Sequence, residues 1–248
     1  MIDDHRATGP DFLGIGAQKA GTTWLYETLA HVPDVAFPAG KEVHFWDQHR
    51  GQGIAWYQAL FDDSPTRPCG EITPAYAILP DPVIGEVRAA LPAVRLVYLL
   101  RNPIARAWSS ALMALARAEM RPEEASDQWF IDHVRSQGSR SRGDYAACLR
   151  AWRAHYPAEQ LMIGWYAEIA RAPTELLRRV LAHIGAAPAG AEAVPEHVLT
   201  RRVHAGPEVA IRPAVQRELV RLYAEPIAEL ADLLLIDLRA WLAGEEGA

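Results

Sequence analysis

Three short apolar runs frame the chain. Phe12-Leu-Gly-Ile-Gly16 ends in glycine and leads into a helical pattern from Thr22 to about His31, which reads as strand, tight loop and helix. Val94 to Leu100 is almost continuously apolar, as in the middle of a parallel sheet. A helix from about Ile104 to Ala118 follows it, with Pro103 suited to the first helical position. Leu161 to Trp165 is a third strand, followed by a helix from Pro173 to about Ile184. Further helices are predicted over 81–91, 126–136, 143–155 and 213–224, with a last one from about Pro226 to Leu242. Strands alternating with helices predict an α/β chain with a central parallel sheet flanked by helices. Residues 35–52 and 186–212 read as loops outside that alternation, and no repeat or linker divides the chain. Residues 1–10 read as a polar lead-in and 11–244 as one domain. Ligands of such sheets bind beyond the carboxyl ends of the strands, so the loops after strands carry the chemistry.

Composition narrows the class. Half of the 248 residues are hydrophobic and 23% are charged, the balance of a folded protein rather than a disordered one. No apolar run approaches the roughly 18 residues that cross a bilayer. The first residues include Asp3, Asp4, His5 and Arg6, so no secretory signal is expected. A formal charge of −6 argues against a general nucleic-acid binder but leaves room for a local basic pocket. Cys69 and Cys148 form no CxxC pair, so no metal site is expected and a reducing cytoplasm is the expected compartment.

The first strand runs into Gly14-Ile-Gly-Ala-Gln-Lys-Ala-Gly-Thr-Thr-Trp24. Glycines let backbone approach an anion, and the first-turn N–H groups of the following helix point at it. This differs from the usual phosphate loop, which places lysine directly before the hydroxyl residue. Here Thr22 holds that position and the lysine, Lys19, lies inside the loop. An internal lysine suits a two-group anion such as a phosphosulfate better than a triphosphate. The second strand ends in Arg101, not in a magnesium-binding aspartate. A magnesium-dependent kinase is therefore the weaker alternative, and a nucleotide-binding protein without transferase activity is another.

Lys19-Ala-Gly-Thr-Thr23 resembles the phosphosulfate loop of sulfotransferases that use 3′-phosphoadenosine-5′-phosphosulfate (PAPS). Arg101-Asn-Pro-Ile-Ala-Arg-Ala-Trp-Ser109 is similar to that family's 3′-phosphate site. Independently of the family, an arginine fork and a serine on the next helix turns can share one phosphate. The resemblance implies the phosphate-loop-like sulfotransferase fold. Its nucleotide contacts would be Lys19, Ala20, Gly21, Thr22, Thr23, Arg101 and Ser109, and 3′,5′-ADP would be the product. Trp24 either flanks the adenine or packs in the core. Arg106 either adds charge to the site or makes a surface ion pair. Arg202, in Arg201-Arg-Val-His-Ala-Gly206, is a further candidate for the 3′-phosphate.

Gly40-Lys-Glu-Val-His-Phe-Trp-Asp47 resembles the acceptor segment of sugar-directed sulfotransferases. That likeness implies Glu42 as the base, with burial lifting its pKa, and His44 competes for the role. Lys41, His44, Phe45 and Tyr76 are the candidate acceptor contacts, and Glu71-Ile-Thr-Pro-Ala-Tyr76 would form a pocket wall. Lys41 either steers an anionic acceptor or faces solvent. Some sugar-directed relatives carry a lysine where Ile72 stands, so a highly sulfated polymer is a poor fit. A small-molecule or carbohydrate-bearing acceptor is expected.

Overall fold

The computed structural model describes residues 9–62, 64, 68–201 and 209–245. Four parallel strands, β1 (Phe12–Gly16), β2 (Gly70–Ile72), β3 (Arg95–Leu100) and β4 (Leu161–Trp165), lie in the order β2-β1-β3-β4. Phe12 faces Gly70 on one side and Arg95 on the other, while Leu96 faces Leu161. The register between β1 and β3 slips between Gly14 and Gly16, at the mouth of the glycine loop. β1 and β3 are fully apolar toward their carboxyl ends, and every β1 residue is buried. Such continuous burial is what helix-covered parallel strands require.

The helices are α1 (Thr22–Leu29), α2 (Ile54–Asp62), α3 (Asp81–Ala90), α4 (Pro103–Arg117), α5 (Asp127–Arg135) and α6 (Gln137–Gly143). They continue with α7 (Tyr145–His155), α8 (Tyr166–Arg171), α9 (Pro173–Ile184), α10 (Glu196–Leu199) and α11 (Pro213–Leu234). Helix α1 packs on α9, whereas α4, α5, α6 and α7 gather around α11. Side-chain caps mark several helix starts. Asn102 accepts from the Ile104 amide at 3.0 Å, Ser126 from Trp129 at 3.2 Å and Asp144 from Ala147 at 3.0 Å.

Several elements depart from expectation. β2 was expected only as a pocket wall, and α2 and α6 were not expected as helices. Pro226 does not begin a new helix: α11 runs through it, and among the described residues after 234 there is a short 3₁₀ turn at Arg239–Ala243 and no further α-helix. A proline inside a helix forfeits one donor and crowds the carbonyl four residues back. Here burial of Tyr223, Ile227 and Leu230 on either side of it keeps the helix continuous. The 35–52 stretch contains a π-helical turn at Phe45–His49 and a 3₁₀ turn at Arg50–Gln52. Among the described residues, no helix is long and apolar enough to cross a membrane.

Candidate active site

The strand order creates a switch point. The chain leaves β1 for β2 on one side, and leaves β3 for β4 on the other, so the crevice opens between the ends of β1 and β3. Both motifs meet there. Lys19 follows β1, Arg101 follows β3, and an Arg101 Nη1–H donates to the Lys19 carbonyl at 3.1 Å. The Arg101 guanidinium lies over the Tyr166 ring, 4.3 Å from its centroid, which fixes the plane of the fork. The two anchors expected for opposite ends of one ligand therefore lie side by side at one switch point.

Within the loop the backbone needs unusual conformations. Gly16 has φ +149°, Lys19 +68° and Gly21 +92°. Gly21 is the residue before the first turn of α1 and makes no side-chain cap, and α1 has no acidic residue in its first turn. The opening amides are thus left for an anion, with the helix dipole behind them. A Cβ on Gly21 would stand 2.3 Å from Ile169 Cδ1 and 3.3 Å from Tyr166 Cδ2, so any larger residue forces the Ile169 side chain on α8 to move. Burial lowers the pKa of Lys19 from its usual value, and the Arg101 and Arg117 charges lower it further. A lysine crowded by like charge is well suited to meet an anion. Thr22 is buried, and Thr23 and Ser109 are half-buried, each on the helix that follows its strand.

Other expected contacts lie elsewhere. Trp24 is a core residue, 2% exposed, and its indole N–H donates to the Leu199 carbonyl at 2.8 Å. Arg106 is fully buried and forms no surface ion pair. It donates to the Ser139 carbonyl at 2.9 Å, and to the Ser139 and Tyr223 hydroxyls at 3.3 Å each. Phe45 and Tyr76 are also buried, not poised to touch an acceptor. The Phe45 ring stacks on Tyr57 at 4.5 Å, a length of contact typical of a core pair. Of Phe45, Trp46, Trp56, Tyr57 and Tyr76, only Trp56 is exposed. Arg202, His204 and Gly206 lie outside the described residues.

The acceptor loop brings Glu42, His44 and Asp47 together. His44 Nδ1 is 2.9 Å from Asp47 Oδ2, and its Nε2 is 3.6 Å from Glu42 Oε2. Lys41 pairs with Glu42. The Glu42 side chain is 39% exposed, so the burial expected to tune it is absent. The buried carboxylate is its neighbour across the loop, Glu71 in β2, which has no exposed surface. Burial raises the pKa of Glu71, and hydrogen bonds from Thr73, Tyr57, Tyr76 and the Val43 amide oppose that rise. Those donors lie at 2.5, 2.6, 2.8 and 3.1 Å. Asp47, Glu71 and Tyr166 were the residues whose roles sequence reasoning missed. Tyr166 had one available signal, its place directly after a strand.

A parallel α/β sheet with a glycine-rich loop and an arginine at its switch point defines a phosphate-loop-like α/β fold. The sulfotransferase domain model matches residues 9–203, and the chain belongs to that family. It is 29% identical over 196 residues to mouse heparan sulfate glucosamine 3-O-sulfotransferase 3A1, covering 75% of this chain and 48% of that protein. It is 30% identical to the mouse 3B1 enzyme over 187 residues, 71% of this chain and 46% of the relative. The chain thus spans about half the length of these curated relatives. Among solved structures, a sulfotransferase from Alicyclobacillus acidocaldarius superposes with a TM-score of 0.71 at 25% identity, over 94% of this chain and 98% of that one. Mouse sulfotransferase SULT7A1 complexed with PAP shares the fold, with a TM-score of 0.56 at 17% identity over 90% and 86% of the two chains.

Proposed function

We propose that the protein moves a sulfuryl group from PAPS to a hydroxyl or amine of a small-molecule or glycosylated acceptor, releasing 3′,5′-ADP. The observation that carries this reading is the meeting of the Lys19 loop with Arg101 at one switch point. PAPS carries a phosphosulfate at one end and a 3′-phosphate at the other, and the two cationic anchors suit those two groups. The PAP complex of SULT7A1 supports the same donor.

When bound, the donor supplies an activated sulfuryl group whose leaving group is the 5′-phosphate. Lys19 and the opening amides of α1 stabilise charge on that phosphate, while Arg101 and Ser109 hold the 3′ end. Glu42 takes the proton from the acceptor. Asp47 holds Nδ1 of His44, which leaves Nε2 directed toward the Glu42 carboxylate. Lys41 offsets the charge of Glu42 before the acceptor arrives. His44 is the competing base, and its hold on Asp47 suits it better to orienting Glu42 and the acceptor. Transfer of this kind depends on positioning and charge more than on covalent help.

The names of both mouse relatives given above specify heparan sulfate glucosamine, so amino-sugar glycosides belong in any acceptor panel. Ile72 stands where some sugar-directed relatives carry a lysine, which favours a small or lightly charged acceptor over a sulfated polymer. A cytoplasmic location belongs to the same proposal and rests on two buried cysteines, Cys69 and Cys148. The test is incubation with PAPS and a panel of hydroxylated and aminated acceptors, in excess EDTA, with mass detection of added SO₃. Product is expected for at least one acceptor. A phosphorylated product that needs magnesium would replace this reading with a kinase.

A further inference from the structure

We propose that Glu71 is a positioning residue for the acceptor side, acting through a cradle that holds the backbone from Glu42 to Phe45. The inference rests on the assignment of Glu42 and His44 to the acceptor chemistry.

Four consecutive amides of that loop hang on the segment from Glu71 to Tyr76. Glu42 N–H donates to the Ile72 carbonyl at 3.2 Å, and Val43 N–H to Glu71 Oε2 at 3.1 Å. His44 N–H meets Thr73 Oγ1 at 3.4 Å, and Phe45 N–H donates to the Tyr76 hydroxyl at 2.9 Å. Three of these four acceptors are Glu71 itself or hydroxyls that donate to Glu71. Thr73 donates to Oε2 at 2.5 Å, and Tyr76 to Oε1 at 2.8 Å. Tyr57, from α2, donates to Oε1 at 2.6 Å and closes the set.

The loop needs such a hold. Glu42 has φ +62° and His44 +56°, a left-handed conformation that non-glycine residues adopt only when their surroundings enforce it. Those two residues flank Val43, whose amide Glu71 holds directly. Their side chains are the ones that face each other across 3.6 Å. Glu71 touches neither of them, so its influence passes through the backbone.

The chemistry demands a carboxylate. Thr73 Oγ1 and Tyr76 OH each accept from the loop, which leaves their own hydrogens for Glu71. Both Glu71 oxygens therefore accept twice. An amide has one acceptor oxygen. Turned either way, glutamine would aim its NH₂ at the Val43 amide or at the two tyrosine hydroxyls. Glu71→Gln is nearly isosteric and yet breaks the cradle.

The test joins hydrogen exchange with kinetics on the full chain. In Glu71→Gln, the amides of 43–45 should exchange at least tenfold faster, while those of 20–25 keep their rates. Affinity for 3′,5′-ADP should stay within threefold, and kcat for transfer from PAPS should fall at least tenfold. In a Glu42→Gln background, adding Glu71→Gln should change kcat little, because both act through one group; a purely structural role would give additive losses. Tyr76→Phe, which keeps the carboxylate and removes the acceptor for Phe45 N–H together with one of the two donors to Glu71 Oε1, should show the same pattern more weakly and covers the case in which Glu71→Gln does not fold. Unchanged exchange at 43–45 in either folded variant would overturn the proposal, as would a drop in nucleotide affinity equal to the drop in kcat. Should the wild type transfer sulfuryl to no acceptor, the functional assignment fails, while the exchange rates still decide whether Glu71 holds the loop.

Discussion

Replacing Gly21 by alanine tests whether the anion loop is built as described. Gly21 has φ +92° and ψ 14°, a conformation that costs an L-residue roughly 1–2 kcal/mol. The added Cβ meets Ile169 Cδ1 at 2.3 Å, and because that atom ends a flexible side chain, relief requires a rotamer shift of about 0.5–1.5 kcal/mol. Stiffening the unfolded chain returns about 0.4–1 kcal/mol. The net loss is ~2 kcal/mol, which lowers Tm by about 4–8 °C for a chain of this size. Binding should suffer more than stability, because crowding at Tyr166 disturbs the ring that supports Arg101. Gly185→Ala is the control: φ is +88° there, and nothing lies within 4 Å of the added methyl. It should lose stability from backbone strain alone and keep its affinity for 3′,5′-ADP. Scanning calorimetry and isothermal titration of both variants read the difference. A Gly21→Ala protein with unchanged Tm and affinity would refute the packing of the loop against α8.

Other consequences are direct. Lys19→Met should cut turnover by about 10²–10³, as expected for loss of a charge aimed at a developing anion, and a near-normal rate would contradict its role. The lowered pKa of Lys19 sets a pH dependence. Unliganded Lys19 loses its proton at a pH below the usual 10.5, whereas a bound anion favours the charged form, so nucleotide affinity should fall through the alkaline range with proton uptake on binding. Titrations in buffers of different ionisation heat would show that uptake, and Lys19→Met should abolish it. Glu42→Gln should lower kcat by about 10²–10⁴ with nucleotide affinity intact; steady-state kinetics with full activity would shift the base to another group. Trp24→Phe should cost about 1–3 kcal/mol by leaving the Leu199 carbonyl unpaired, read as a lower denaturation midpoint without loss of nucleotide specificity.

Legibility in the sequence followed the strength of local signals. β1, β3 and β4 were readable because each is a run of apolar residues bounded by turn chemistry, and the helices after them carried proline or hydroxyl starts. The glycines, Lys19, the threonines and Arg101 were readable because backbone geometry and anion chemistry restrict those positions to few residue types. β2 was not, since a three-residue strand with glutamate at its centre has no apolar period, and the partners that satisfy Glu71 come from residues 43, 57, 73 and 76. The same long-range contacts explain why the burial of Phe45 and Tyr76 was not legible: an aromatic in a motif gives no hint of which way it points. Trp24 is the parallel case, its N–H claimed by a carbonyl 175 residues away. Exposure of Glu42 could not be read either, because it depends on how the loop hangs from β2.

The central claim is that the Lys19 loop and Arg101 grip two ends of one nucleotide, and titration calorimetry of 3′,5′-ADP against 5′-AMP tests it most directly. The account predicts one site per chain, with 5′-AMP weaker by about 10–100-fold because a charge-assisted contact worth roughly 1.5–3 kcal/mol is lost, and with that gap closing in Arg101→Ala. Equal affinity for the two nucleotides, or no binding of either, would contradict it.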